Sequence, residues 1–444
     1  MMRKTFVLGC LGLGILTTGV TSAVAGPGFL GDGRCGNPTC HGAGLPSRDK
    51  PDPNWRPWKS ARTQWINTNI DRHSRAYRTL QTEDGKTIAR YMGIDATTSE
   101  KCLSCHAPDA PVASGGRYKR SDGVTCEHCH GPAEQWLEAH SQRDWKQTRS
   151  QYLSRGFYDN NNYTLRARNC ARCHVAIDHE IVAGGHPPLQ FELVAYAQIM
   201  KHWDDQDELP KDAFSVDPTI WALGQITGLR EALRMLSERA AGTNYQSLDK
   251  FSHFADRGCY QCHHKLVDDA LRQARGHYLM VDAVLTGVAA GRRDELTGLW
   301  NGVVAAVPSS AAAAKQKADG MVGWLGSLEE QIRSQPIDRD GTRRMLNHIT
   351  SSGDRLKVAE RFGFGRSKTS NVGTVDHLST PWWWTTGGPE QAYLAIRALC
   401  RPAVGDRCDA AKNDLRTMLN AIDRFDYKPD QFAASLGAVG AKLK

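Results

Sequence analysis

The sequence lacks several features that would indicate other classes of protein. After the N-terminal segment, no apolar run is long enough for a transmembrane helix, so we expect the rest of the chain to be soluble. There is no basic tract or nucleic-acid motif, although the formal net charge is +8, so nucleic acid is not an expected partner. No nucleophile, acid–base pair or substrate motif stands out. The 444 residues are enough for two or three domains.

Residues 1–25 have the three parts of a secretory signal peptide. Arg3 and Lys4 form the basic start, residues 6–16 are an apolar stretch, and residues 23–25 form a small-residue cleavage site. We therefore expect a periplasmic protein, with extracellular and membrane-associated locations as alternatives. The rival interpretation is an uncleaved membrane anchor, which the glycines and threonines late in the apolar stretch weaken.

Cysteine is plentiful, and most of the 13 cysteines stand in one repeated pattern. Cys-x-x-Cys-His occurs four times, at residues 102–106, 126–130, 170–174 and 259–263. Two cysteines at this spacing lie on one helical turn, where each thiol can form a thioether with a haem vinyl group. The next residue places an imidazole under the iron. Zinc is the alternative, but zinc does not require a histidine directly after every second cysteine.

A fifth site is predicted at the start of the mature chain. Cys35 and Cys40 have four residues between them, and His41 follows, so the order of the haem motif is kept in an expanded loop. The alternative is a Cys35–Cys40 disulfide in an oxidising compartment. Cys400 and Cys408 remain, and we predict that they form a disulfide.

The sequence thus predicts five covalently attached haem c groups. The predicted thioether cysteines are Cys35, Cys40, Cys102, Cys105, Cys126, Cys129, Cys170, Cys173, Cys259 and Cys262. The predicted proximal ligands are His41, His106, His130, His174 and His263.

The residues around these motifs follow a recognisable order. Trp65 and then His73 come after the first motif, and His140 follows the stretch 123–132 that contains the third motif in chain order. These features resemble the cytochrome c554 family, and the resemblance runs from about Gly31 to Leu266. The expanded first motif, the fifth haem and the long C-terminal extension depart from the smaller tetrahaem members.

Histidines are numerous enough to give every iron a second axial ligand. A second histidine saturates the iron and suits electron transfer, whereas an open position permits small-molecule chemistry. The predicted distal ligands are His73, His140, His179, His186 and His264, of which the first two and His186 follow the family pattern. His128 lies between two thioether cysteines, and we expect it to be exposed.

The predicted fold is mainly α with extensive loops. A haem-cored multihaem cytochrome domain at 26–279 precedes a C-terminal helical bundle at 280–444. Five haems leave too little chain between them for separate cores, so we expect the haems to pack together and form a shared core. Apolar periodicity predicts a helix from Pro218 to Ala241. Three tryptophans at 382–384 are interpreted as core or haem-adjacent packing, with a docking patch as the alternative.

The sequence favours an electron carrier, although it leaves the question of enzyme activity open. The expected partners are redox proteins that donate and accept electrons, and a membrane-associated respiratory complex is one candidate. The alternative is a multihaem oxidoreductase that acts on a small nitrogen or sulfur species at one open iron. Pentahaem nitrite reductases replace one proximal histidine by lysine, whereas all five motifs here end in histidine. A third hypothesis is a conduit subunit within a larger assembly.

Overall fold

The computed structural model describes residues 26–45, 57–67, 71–175, 181, 184–186, 189, 191–199, 217–241, 272–307, 309–356, 388–422 and 428–444. Within these ranges the regular secondary structure consists of helices. No strand is present in the described residues, and the one β-type pairing there is an isolated bridge between Phe29 and Val112. The predicted mainly α fold with a C-terminal helical region is confirmed. The signal peptide, His179, the motif at 259–263, His264 and the tryptophans at 382–384 lie outside the described residues.

Short helices come first along the chain, and long ones follow. The helices of the first part, α1 to α9, are Asp32–Cys35, Ala61–Ile66, Ala76–Thr79, Glu83–Met92, Glu100–His106, Cys126–His130, Trp145–Thr148, Tyr163–His174 and Leu193–Ile199. The helices α10 to α18 are Pro218–Ala240, Arg272–Val288, Arg293–Ala306, Ala311–Ser334, Arg339–Ser351, Gly353–Leu356, Gly388–Val404, Lys412–Ala421 and Pro429–Leu443. Short 3-10 turns lie at Pro57–Ser60, His73–Arg75, Arg120–Asp122, Ala133–Gln135, Ala139–Ser141, Arg149–Arg155, Ala290–Arg292 and Gly405–Ala411.

Helix α10 is the central element of the helical region. Asp217 caps its N-terminus by accepting a 2.8 Å hydrogen bond from the Thr219 N–H, and Pro218 fits the first turn, where no intrahelical donor is needed. The apolar stripe that predicts this helix is buried, and the polar residues Gln225 and Thr227 are buried as well. The helix is therefore surrounded, and it packs against α8, α11 and α13. The predicted helix from Pro218 to Ala241 is confirmed.

One continuous apolar core extends from Ala167 in α8 to Leu443 in α18. Ala167 and Ala171 of α8 belong to it, so the helix that bears the motif at 170–174 is seated on the helical region. The other apolar cluster consists of Leu80, Ala89, Ala96, Leu103 and Ala107. The chain before α8 thus has a much smaller described apolar core of its own.

Three further findings bear on the expected organisation. The predicted disulfide between Cys400 and Cys408 is present. Helix α11 runs through residues 279 and 280, where we placed the domain boundary, and that boundary stays a prediction. Among the described helices, none combines the length and apolarity needed to cross a membrane.

Candidate haem centres

Three of the intact motifs lie at the C-terminal ends of helices. Helix α5 ends at His106, α6 ends at His130 and α8 ends at His174, and each motif occupies the last turn. Two thiols and the imidazole of one motif therefore project from a single helical turn, as thioether attachment and proximal ligation require.

The expanded motif forms the same arrangement with an inserted turn. Helix α1 ends at Cys35, and the Asn37 side chain accepts hydrogen bonds from the Thr39 N–H at 2.9 Å and the Thr39 hydroxyl at 2.8 Å. The His41 N–H then donates to the Cys35 carbonyl at 3.2 Å, which brings the histidine back beside the first cysteine. Cys35 and Cys40 are not joined in a disulfide, so the structure does not contain the alternative pairing.

The motif helices touch one another in a fixed order. The Cys35 and Cys126 thiols are hydrogen-bonded, which lowers the pKa of Cys35. Cys129 lies near Cys170, and burial raises the pKa of Cys129 to about 12. The Cys105 and Cys173 thiols are also hydrogen-bonded, and this bond lowers the pKa of Cys105 to about 7. Helix α1 therefore adjoins α6, α6 adjoins α8, and α8 adjoins α5.

Glu127 ties the motif at 126–130 to neighbouring segments. Its carboxylate is buried and accepts backbone hydrogen bonds from Leu30 at 2.9 Å, Gly31 at 2.7 Å and Ala133 at 2.8 Å. Burial raises the pKa of this carboxyl, and the three N–H donors act in the opposite direction. The segment before the Cys35 site is thereby fixed against α6.

The expectation that His128 is exposed is wrong, because only 3% of the residue is accessible. Its Nδ1 accepts from the Thr125 N–H at 2.8 Å, and its Nε2 donates to the Pro108 carbonyl at 3.0 Å. Burial lowers the pKa of His128 to about 4, which favours the neutral ring that these bonds require. The side chain connects α6 to the loop after the Cys102 motif.

Three pairs of histidines face each other at nearly the same separation. The ring centres of His41 and His140 are 6.2 Å apart, with 17° between the ring planes. Those of His73 and His174 are 6.0 Å apart at 85°. Those of His106 and His186 are 6.2 Å apart at 81°. Each pair joins a predicted proximal histidine to a predicted distal one.

The other ring nitrogen is already hydrogen-bonded in three of these histidines. The Nδ1 of His73 contacts Asp71 Oδ1 at 2.8 Å, and the Nδ1 of His140 contacts the Leu137 carbonyl. The Nδ1 of His106 contacts the Ala76 carbonyl at 2.8 Å. Nε2 is then the nitrogen left for a metal, since a ligating histidine usually donates its second N–H to a protein acceptor.

These pairs fit haem iron. An iron with an imidazole nitrogen about 2 Å away on each side places the two ring centres about 6 Å apart. Burial lowers the pKa of His174 to about 4, and it also lowers the pKa values of His106 and His140, which favours the neutral form that can ligate a metal. The described residues contain no cluster of three or more His, Cys, Asp or Glu side chains of the kind that zinc requires.

His130, the predicted proximal ligand of the motif at 126–130, lies beside Asn160. His130 Nδ1 lies 3.4 Å from the Asn160 side-chain nitrogen, and Asn160 also donates to the Cys129 carbonyl at 2.8 Å. Sequence reasoning missed Asp71, Glu127 and Asn160. Only Asp71 carries a local signal, because an aspartate side chain often accepts the backbone N–H two residues later, which here belongs to His73.

Gly123 shows why the segment around His73 can approach the third motif so closely. Its φ of 70° is in the left-handed region, and an added Cβ would lie 2.7 Å from the His73 carbonyl oxygen. The adjacent Val124 N–H donates to that carbonyl at 3.1 Å, and the Trp65 indole donates to the Val124 carbonyl at 2.9 Å. Trp65 and His73 therefore dock on the same short segment before α6.

One family of known proteins is similar to part of the chain. Residues 58–131 match the family described as cytochrome c554 and c-prime, a range that includes Trp65, His73 and the motifs at 102–106 and 126–130. Searches of curated proteins and of solved structures gave no significant match. The match over residues 58–131 supports the resemblance to c-type cytochromes of the cytochrome c554 family, and with it a role of haem c in electron transfer.

Proposed function

We propose that this protein is an exported multihaem cytochrome that carries electrons between redox partners along five covalently bound haems. The observation that supports it most is the unbroken contact of four motif helices, from α1 through α6 and α8 to α5. Haems attached to touching helices would adjoin, and adjoining haems form an electron path.

The haem groups supply a one-electron iron couple, and the chain supplies attachment, ligation and insulation. The cysteine pairs would bind the haems, and the facing histidine pairs would hold three of the irons. For the Cys126 site, His130 would be the proximal ligand. The motif at 259–263 would carry the fifth haem, with His179 and His264 as further distal candidates.

Export and partners are part of the same proposal. Residues 1–25 would direct the chain to the periplasm, the compartment where haem c is commonly attached and where the disulfide between Cys400 and Cys408 can persist. The donor and acceptor would be redox proteins, and a membrane-associated respiratory complex is a candidate for one of them.

Intact-mass measurement of the purified holoprotein tests the number of haems. We expect a mature chain that begins near Gly26 and carries five haems. The double variant Cys35→Ser/Cys40→Ser should carry one fewer, whereas Cys400→Ser/Cys408→Ser should keep all five. A wild-type protein without covalent haem would contradict the proposal. Four haems in both the wild type and the Cys35→Ser/Cys40→Ser variant would show that the expanded motif binds no haem.

Ligand addition separates the carrier from the oxidoreductase. If histidine pairs saturate the irons, the oxidised protein should show low-spin signals that cyanide does not change. A high-spin signal that cyanide converts to low spin would favour catalysis at an open iron.

A further inference from the structure

We infer that the Asp71 carboxylate lowers the reduction potential of the haem held between His73 and His174. The inference rests on the proposed haem ligation and adds a role for a residue that binds no haem. Asp71 acts through His73 and is therefore a positioning and tuning residue.

The geometry fixes both the carboxylate and the ring. Asp71 Oδ1 lies 2.8 Å from His73 Nδ1 and accepts the His73 backbone N–H at 2.9 Å. The Asp71 side chain is 5% exposed and that of His73 is 28% exposed. One carboxylate oxygen thus holds the backbone turn and the imidazole together in a largely dry environment.

In two other predicted ligands, His106 and His140, the Nδ1 atom contacts only uncharged oxygen acceptors. His106 Nδ1 lies 2.8 Å from the Ala76 carbonyl and 2.9 Å from the Thr79 hydroxyl. His140 Nδ1 contacts the Leu137 carbonyl. His73 differs from them because a carboxylate side chain faces its Nδ1.

The charge has a predictable effect on the iron. A carboxylate that accepts the Nδ1 proton makes the imidazole a stronger electron donor, and it adds negative charge near the metal. Both effects stabilise ferric iron more than ferrous iron, because the ferric centre carries one more positive charge. Hydrogen bonds to charged groups are about twice as strong as neutral ones, and burial strengthens them further.

The Asp71→Asn variant separates the effect of the charge on the haem potential from the role of the side chain in the backbone turn at His73. Asparagine keeps an acceptor oxygen for the backbone N–H and for Nδ1–H, but it removes the charge. In a spectroelectrochemical titration of the full-length holoprotein, we expect one haem to be reduced more easily. Its ferrous-to-ferric equilibrium constant should rise about tenfold, equivalent to about 59 mV for one electron.

Two further variants control the experiment. Asp84→Asn removes the same charge from an exposed position and should leave all the potentials unchanged. Asp71→Ser also removes the charge and retains a hydroxyl for the turn, so it should raise the same potential if the asparagine variant accumulates poorly.

Each outcome decides the inference. The inference would be overturned if the Asp71→Asn protein carried all its haems and had the same reduction potentials as the Asp84→Asn protein. A high-spin signal in Asp71→Asn would also overturn it, because Asp71 would then serve to retain the ligand. Absence of covalent haem in the wild type would instead overturn the proposed function together with this inference.

Discussion

Between Cys126 and Cys129, haem attachment requires no particular residue, yet Glu127 and His128 are both buried and hydrogen-bonded. Glu127 fastens residues 30 and 31 to α6, and His128 fastens the loop at Pro108. These two side chains set the positions of the Cys35 and Cys102 sites relative to the Cys126 site. At the residue scale, the motif is therefore a packing element as well as a predicted attachment point.

Glu127→Gln should destabilise the protein by about 3 kcal/mol. The amide offers one acceptor oxygen in place of two, and its NH₂ group would face backbone N–H donors. Guanidinium unfolding followed by the Soret band and by circular dichroism measures the change. Glu138→Gln, at an exposed position, should change the free energy of unfolding by less than about 0.5 kcal/mol. Equal stabilities of the two variants would contradict this role of Glu127.

His277 should make stability depend on pH in a defined window. It is buried beside Gly228, and its Nδ1 lies 2.9 Å from Gln225 Oε1. Burial lowers its pKa from 6.5 to about 4. Between these values the unfolded chain binds a proton that the folded chain does not. The free energy of unfolding is thus fully maintained above about pH 6.5 and decreases as the pH falls towards 4.

The matched measurement compares the wild type with His277→Gln. From pH 7 to pH 4, the wild-type free energy of unfolding should fall by up to about 3 kcal/mol more than that of the variant. Parallel pH profiles for the two proteins would show that His277 titrates normally.

The helical turns of the motifs could be predicted from the sequence more readily than the contacts that their side chains make with distant residues. The spacing of the motifs predicts helical turns, and α5, α6 and α8 supply them. The burial of His128 was not predictable, because the Pro108 carbonyl that its Nε2 contacts is brought there by how a loop folds back. For the same reason the sequence did not indicate that His73 faces His174, the histidine of a later motif.

At the scale of elements, a buried carboxylate of α13 joins the motif helix α8 to the long helix α10. Glu329 of α13 is 3% exposed and accepts from Arg168 of α8 at 3.0 Å and from Thr227 of α10 at 2.8 Å. Arg230 of α10 also donates to it. Helix α8 carries the Cys170 motif, so this cluster helps to fix that motif on the long helices.

Glu329→Gln should cost about 3 kcal/mol of stability, because two guanidinium groups would lose the buried charge that compensates them. Its neighbour Glu330 is 69% exposed and pairs with Arg333 on the surface. Glu330→Gln should therefore cost less than about 0.5 kcal/mol. Thermal unfolding of both variants measures the difference, and equal melting temperatures would contradict the structural role of Glu329.

Long helices were predictable because their apolar periodicity is strong, as the agreement over Pro218–Ala240 shows. Their assembly was not predictable in the same way. The sequence pattern separates a haem region from a helical region, whereas the core cluster includes Ala167 and Ala171 of the motif helix α8. Contacts between distant segments depend on tertiary packing, which periodicity does not report.

At the scale of the whole molecule, the distribution of apolar residues agrees with the haem assignment. The long helices share an extensive core, but the described residues before α8 gather only a small cluster around Leu103. Covalently attached porphyrins would supply the missing apolar volume and would also bring the irons close together. Folding of this region and electron transfer along it would then depend on the same groups.

The measurement that tests the central claim most directly is electron paramagnetic resonance of the fully oxidised holoprotein. Near-parallel imidazole planes give a rhombic low-spin signal, and near-perpendicular planes give a highly anisotropic one. The structure predicts one centre of the first kind, with 17° between His41 and His140, and two of the second, with 85° and 81°. High-spin signals alone, or a spectrum that lacks either low-spin class, would contradict the histidine pairs as haem ligands.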